Sequence, residues 1–135
     1  MSVTALPSTA SVASELVELC RAGKNLEAID RLYSPNILSI EPIGDRQMPA
    51  EMHGVDAVRV KNEWWFANHD IHRAEVNGPF LGEDQFAVQY SYDITFKPTG
   101  RRTAGTEMAL YTVEDGRVVR EQFFYHIPSD DADAD

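Results

Sequence analysis

From Phe86 to Phe96 apolar and polar side chains alternate: Phe86, Val88, Tyr90, Tyr92, Ile94 and Phe96 share one face, and Ala87, Gln89, Ser91, Asp93 and Thr95 share the other. A sustained period of two belongs to a strand and commits this stretch to a sheet with one covered face. Pro98-Thr99-Gly100-Arg101 and Glu114-Asp115-Gly116 then read as turns, with strands from Thr103 to Val113 and from Val118 to Ile127. Long strands joined in succession by tight turns form an antiparallel meander.

The first half of the chain has a different period. Val12, Leu16, Leu19 and Cys20 recur at helical spacing until Gly23, which predicts an amphipathic helix. Asn25 caps a second helix with Leu26, Ile29 and Leu32 on its apolar face and Tyr33 beside it, and Ser34-Pro35 ends it because a residue before proline avoids helical dihedrals. Ile37 to Ile40 reads as a short strand, and the polar connection from Pro42 to Gly54 reads as a lid or a rim. A third helix starting near Gly54 or Asp56 carries Val58, Val60, Trp64, Trp65 and Phe66. Ile71 to Val76 is strand-like and is broken by Asn77-Gly78-Pro79. Helices gathered in one half and strands in the other predict an α+β domain whose bent sheet wraps around the helices.

At 135 residues, with 43% apolar and 25% charged residues, the chain has material for one core and no second domain. Residues 1–11 read as a flexible leader, 12–128 as the domain and 129–135 as a disordered acidic tail. The net charge of -10 repels phosphate backbones and anionic lipid, so neither nucleic acid nor membrane is an expected partner. Asp130, Asp131, Asp133 and Asp135 supply part of that charge from the tail, and the body is only moderately acidic. Met1 to Ser14 lacks the basic start and apolar run of a secretory leader, and the single Cys20 cannot form an internal disulfide. A reducing, cytoplasmic setting is the expectation.

Several phrases carry a family pattern. Leu16-Val17-Glu18-Leu19-Cys20-Arg21-Ala22-Gly23-Lys24 resembles a first helix and turn, and Leu32-Tyr33-Ser34-Pro35-Asn36-Ile37 the entry to a first strand. Glu41-Pro42-Ile43-Gly44, Gly54-Val55-Asp56-Ala57-Val58 and Glu114-Asp115-Gly116-Arg117-Val118-Val119-Arg120-Glu121 continue the pattern across about Val12 to Ile127. Their order resembles the cone-shaped fold of the SnoaL-like and nuclear transport factor 2-like superfamily, which includes ketosteroid isomerase, scytalone dehydratase and polyketide cyclases. The resemblance implies a curved, mixed but mostly antiparallel sheet wrapped around three helices, a small-molecule cavity, and homodimers pairing through the outside of the sheet. Ala87, Gln89, Ser91 and Thr95 on that outer face permit close approach. Because this architecture hosts many chemistries, the resemblance informs fold more than reaction. The general-base Asp of ketosteroid isomerase falls on Glu41, whereas its oxyanion-hole Tyr and protonated Asp fall near Leu16 and Met108, which are not donors. Steroid isomerisation therefore does not carry over.

The candidate acid/base groups are Glu41, at the end of a short strand, and Glu121, which alternates with Phe123 and Tyr125 on the inward face of the last strand. A buried carboxylate must be paired, hydrogen-bonded or protonated, and an apolar pocket raises its pKa. Tyr90 and His72 are candidate assistants in catalysis, with a directional hydroxyl and an imidazole that titrates near neutrality. Trp65, Tyr92, Met108, Phe123, Tyr125 and His53 are the candidate ligand contacts. Glu107 alternates with Gly105 and Ala109 opposite Met108 and Leu110, which points it toward a dimer interface. No His-x-His, cysteine cluster, Gly-x-Gly-x-x-Gly or Gly-x-Ser-x-Gly pattern occurs, so neither metal nor cofactor is expected. The function read from these features is a pocket for a small apolar or carbonyl-containing molecule. Its chemistry would be cofactor-free isomerisation, cyclisation or dehydration, or else binding without catalysis or a protein-interaction role.

Overall fold

The structure is a computed structural model that describes residues 5–126. Its order is α1 (Thr9–Arg21), α2 (Asn25–Leu32), β1 (Tyr33–Ile40), β2 (Glu51–His53), α3 (Val55–Asn68), β3 (His69–Leu81), β4 (Gln85–Phe96), β5 (Arg101–Glu114) and β6 (Arg117–Phe124). One six-stranded sheet runs β2-β1-β6-β5-β4-β3. Only β1 and β6 pair in parallel; the other neighbours are antiparallel, as the expected α+β class requires.

Several boundaries differ from the sequence reading for local reasons. Helix α1 begins inside the expected leader, because the Ser8 side chain accepts from the Ser11 N–H at 3.0 Å and caps the first turn. Chain direction changes at Tyr33 without a loop, so Ser34-Pro35 lies within β1 and not beyond it. Part of the expected polar connection forms β2, which pairs with the end of β1. Strand β3 continues past Asn77-Gly78-Pro79, absorbing the interruption as a register shift, with Gly78 at φ 132 where a side chain would be strained. The proposed acidic tail, residues 127–128 of the proposed domain and residues 1–4 of the proposed leader lie outside the described residues.

The core lies between the inner face of the sheet and α1 and α2. Val12, Leu16 and Val17 meet Ile29, Ile37, Phe86, Val88 and Val118, all buried, and Phe86 stacks on Tyr111 with ring centroids 4.9 Å apart. Helix α1 packs on β3 and α2, while α3 packs on β1. These contacts fill one end of the bent sheet and leave the other end hollow.

Candidate functional site

The hollow end is a cavity of about 430 Å³. Its walls come from all three helices and the inner faces of β3 to β6, with Cys20, Trp65, Phe66, Tyr90, Tyr92 and Phe123 among the lining side chains. Four charged groups, Glu41, Lys61, Glu107 and Glu121, also line it.

Lys61 reaches the cavity because Val58, Lys61, Asn62 and Trp65 fall on one side of α3 at three- and four-residue spacing. Its Nζ donates to Ser39 Oγ at 2.8 Å and to Glu41 Oε1 at 3.1 Å, lies 3.9 Å from Glu121 Oε1, and sits 5.2 Å from the Phe123 ring centroid. Glu121 stands in register with Ser39 across the parallel β1–β6 pair. It is buried, accepts from Ser39 Oγ at 2.8 Å and accepts from the Tyr33 hydroxyl. Burial holds its carboxyl pKa above the ordinary value, against the opposing pull of Lys61 and of the Tyr33 and Ser39 hydroxyls.

Glu107 stands opposite. It pairs in register with Tyr90 on β4, and it makes no hydrogen bond or ion pair with another described residue. Burial first and the charge of Glu41 second raise its pKa to about 7, against the lowering influence of Lys61. Beside it, Tyr92 lies over Gly105, where a Cβ would meet the Tyr92 hydroxyl at 3.2 Å. Tyr92 is likewise raised, by burial and then by Glu107. The Tyr125 phenol is held above its ordinary value by burial and then by the charge of Glu41. Deeper in, the Tyr90 hydroxyl is 2.7 Å from that of Tyr111 and donates to Cys20 Sγ at 3.8 Å, and burial raises the Cys20 thiol to about 11. Such a thiol is protonated at neutral pH and is a poor nucleophile.

Of the residues expected to act, Glu41, Glu121 and Tyr90 line the cavity, as do Trp65, Tyr92, Phe123 and Tyr125. Trp65 also stacks on His69 at 4.4 Å, while Trp64 is exposed. Three expected residues are elsewhere. His72 is exposed at the β3 register shift and bonds Thr95 through Nε2 at 2.7 Å, on the outer side of the sheet. His53 is exposed on the edge strand β2. Met108 alternates with the inward Glu107 and Ala109, so it faces away from the cavity, in register with Gln89 and Phe124.

The assignment of β5 thus inverts: Gly105, Glu107, Ala109 and Tyr111 face inward, and the proposed interface position of Glu107 is wrong. Apolarity at Met108 and Leu110 had indicated the inner face, and a one-residue change of phase exchanges the two sides of a strand. Lys61 and Ser39 were also missed. The helical spacing of Lys61 to Trp65 was the available signal for the first; Ser39 carried none. Among the described residues no cluster of three His, Cys, Asp or Glu side chains could hold a metal ion, and no helix is long and apolar enough to cross a membrane.

A bent sheet closed on one side by helices, hollow at its wide end and lined by aromatic rings and carboxyl groups, defines the class of cone-shaped α+β proteins with an internal small-molecule cavity. Residues 7–125 match the SnoaL-like domain family, and the chain belongs to it. A structure from Mesorhizobium loti, provisionally assigned as a SnoaL-like polyketide cyclase and also labelled carbohydrate phosphatase, is 37% identical, with 86% of this chain and 97% of that one covered at a TM-score of 0.81. A provisionally assigned SnoaL-like polyketide cyclase from Jannaschia sp. CCS1 is 15% identical, covering 92% and 90% of the two chains at a TM-score of 0.68. A provisionally assigned isomerase from Bacillus subtilis is 14% identical, covering 87% and 88% at 0.72. No curated protein matches the sequence. Solved structures that share the fold include proteins provisionally assigned as polyketide cyclases and as isomerases.

Proposed function

We propose that the cavity catalyses cofactor-free proton transfer next to the carbonyl of a small apolar or polyketide-like substrate, as an isomerase, cyclase or dehydratase. Glu41 is the base, and Glu107, in its protonated form, donates a hydrogen bond to the carbonyl oxygen together with the Tyr92 hydroxyl. The observation that carries this reading is the largely buried carboxyl of Glu107, without a hydrogen-bond or ion-pair partner among the described residues, facing the cavity with Tyr92 and Glu41. A carboxylic acid kept neutral near pH 7 can stabilise an enolate, and a carboxylate nearby can remove the proton that generates it. The acid donor that the resemblance assigned to Met108 is thereby supplied by the neighbouring residue on the inward face. Lys61 holds Glu41 in place, and the aromatic walls exclude water from the developing charge.

The test is deuterium exchange at the α-carbon of cyclic β,γ-unsaturated ketones and 1,3-diketones, followed by NMR. Exchange should be lost in Glu41→Gln, and should fall as pH rises through about 7 in the wild type as Glu107 ionises. Glu107→Gln keeps an amide donor and should flatten that limb. Ketones that bind without exchange, or exchange that Glu41→Gln leaves unchanged, would refute the reading.

We further infer a homodimer joined through the outer face of β4 to β6. Half-buried Ala87, Gln89, Met108 and Leu110 and exposed Phe124 support it by offering a low-charge patch on that face. Sedimentation equilibrium checks it; a monomer at micromolar concentration would exclude it.

A further inference from the structure

We infer that Glu121 is a positioning residue, which fixes the Lys61 ammonium against Glu41 through the hydroxyl of Ser39. Among the described residues Glu121 is the one charged residue in the buried core, set into the cavity wall with 1% of its surface exposed. Its two oxygens are already engaged: one accepts from Tyr33 and the other from Ser39. A group so committed is poorly placed to exchange a proton with a ligand, and its burial needs another reason.

The reason lies in the direction of the Ser39 hydroxyl. A serine hydroxyl has one hydrogen and two lone pairs. Because its hydrogen goes to Glu121 Oε1 at 2.8 Å, only lone pairs remain to face Lys61 Nζ, also at 2.8 Å. Glu121 thus makes Ser39 an obligatory acceptor. Its own charge, 3.9 Å from Nζ, pulls in the same direction. The Tyr33 hydroxyl anchors the other oxygen, so the carboxyl plane cannot turn to release Ser39. Lys61 is then held by Ser39 and Glu121 on one side and by Glu41 on the other, with the Phe123 ring below it. A lysine has a long stem and loses much rotamer freedom when fixed, and this array confines it to a single place beside the base.

This inference rests on the reading of Glu41 as the base, but the position of Lys61 can be tested separately from catalysis. An ammonium locked in hydrogen bonds gives an observable Nζ resonance in ¹⁵N-detected NMR at low temperature, and a released one is lost to water exchange. The wild type should show the Lys61 resonance, identified by its absence in Lys61→Met. Glu121→Leu and Ser39→Ala should each lose it, and Glu41→Gln should retain it. The two should also lower ketone exchange by roughly tenfold or more through misplacement of Lys61 and Glu41. Ser39→Ala leaves the buried carboxyl in place, so it decides the matter if Glu121→Leu does not fold. A Lys61 resonance that persists in Ser39→Ala, with exchange unchanged, overturns the inference. Loss of the resonance in a protein that shows no ketone exchange in any form would keep the positioning role and refute the proposed reaction instead.

Discussion

Replacing Glu107 by glutamine should change how stability depends on pH. In the folded protein Glu107 keeps its proton up to about pH 7, whereas the ordinary value for the side chain is 4.5. Between those values the folded state binds more protons than the unfolded state, so stability is full below the lower value and falls as pH rises through the upper one. The gap of about 2.5 units corresponds to roughly 3 kcal/mol at ~1.4 kcal/mol per unit. The amide introduced by Glu107→Gln does not titrate, so that variant should lack this loss and carry instead a pH-independent cost for a buried amide. Urea unfolding at about pH 5 and about pH 8 measures both proteins. The wild type should lose about 2–3 kcal/mol more than the variant across that interval. Glu121 is common to both and largely cancels. Parallel losses within ~0.5 kcal/mol would mean that Glu107 is hydrated in the native state, and both its burial and its use as a neutral donor would be refuted.

Lys61→Met removes the cation that lowers Glu107, so the Glu107 midpoint should move above about 7, as read by carboxyl-detected NMR. The same change leaves Glu41 and buried Glu121 without their counter-ion and should cost about 3–5 kcal/mol in denaturant unfolding. Gly105→Val places side-chain atoms where the Tyr92 hydroxyl lies, 3.2 Å from the position of a Cβ; it should weaken binding of ketones in calorimetry by roughly tenfold while Gly100→Ala, with open space around it, should not. Ile37→Ala opens a hole in the packed core away from the cavity lining and should lower stability by about 2–5 kcal/mol in urea unfolding, without moving the Glu107 midpoint.

The sequence by itself determined the class and every element except the short edge strand β2. Alternation from Phe86 to Phe96 specified a strand and its inner face, the helical stripe around Leu16 specified what covers it, and the glycine-bearing turns specified the meander. Periodicity is local, so it survives without knowledge of the partner. It also placed Glu121, Tyr90 and Tyr92 inward, because each belongs to a strand whose neighbours agree in phase. It failed on β5, where Met108 and Leu110 are as apolar as the inward residues and Gly105 and Glu107 look like an outer face. Only the register against Tyr90 and Tyr92 decides which side that strand presents, and register depends on residues far away in the chain. The charged cluster was equally a product of tertiary structure. Ser39, Lys61 and Glu121 come from β1, α3 and β6, and each taken alone in sequence is an ordinary polar residue. Their meeting at the wall of an aromatic cavity turns those ordinary groups into a fixed array in which burial raises the proton affinity of Glu121.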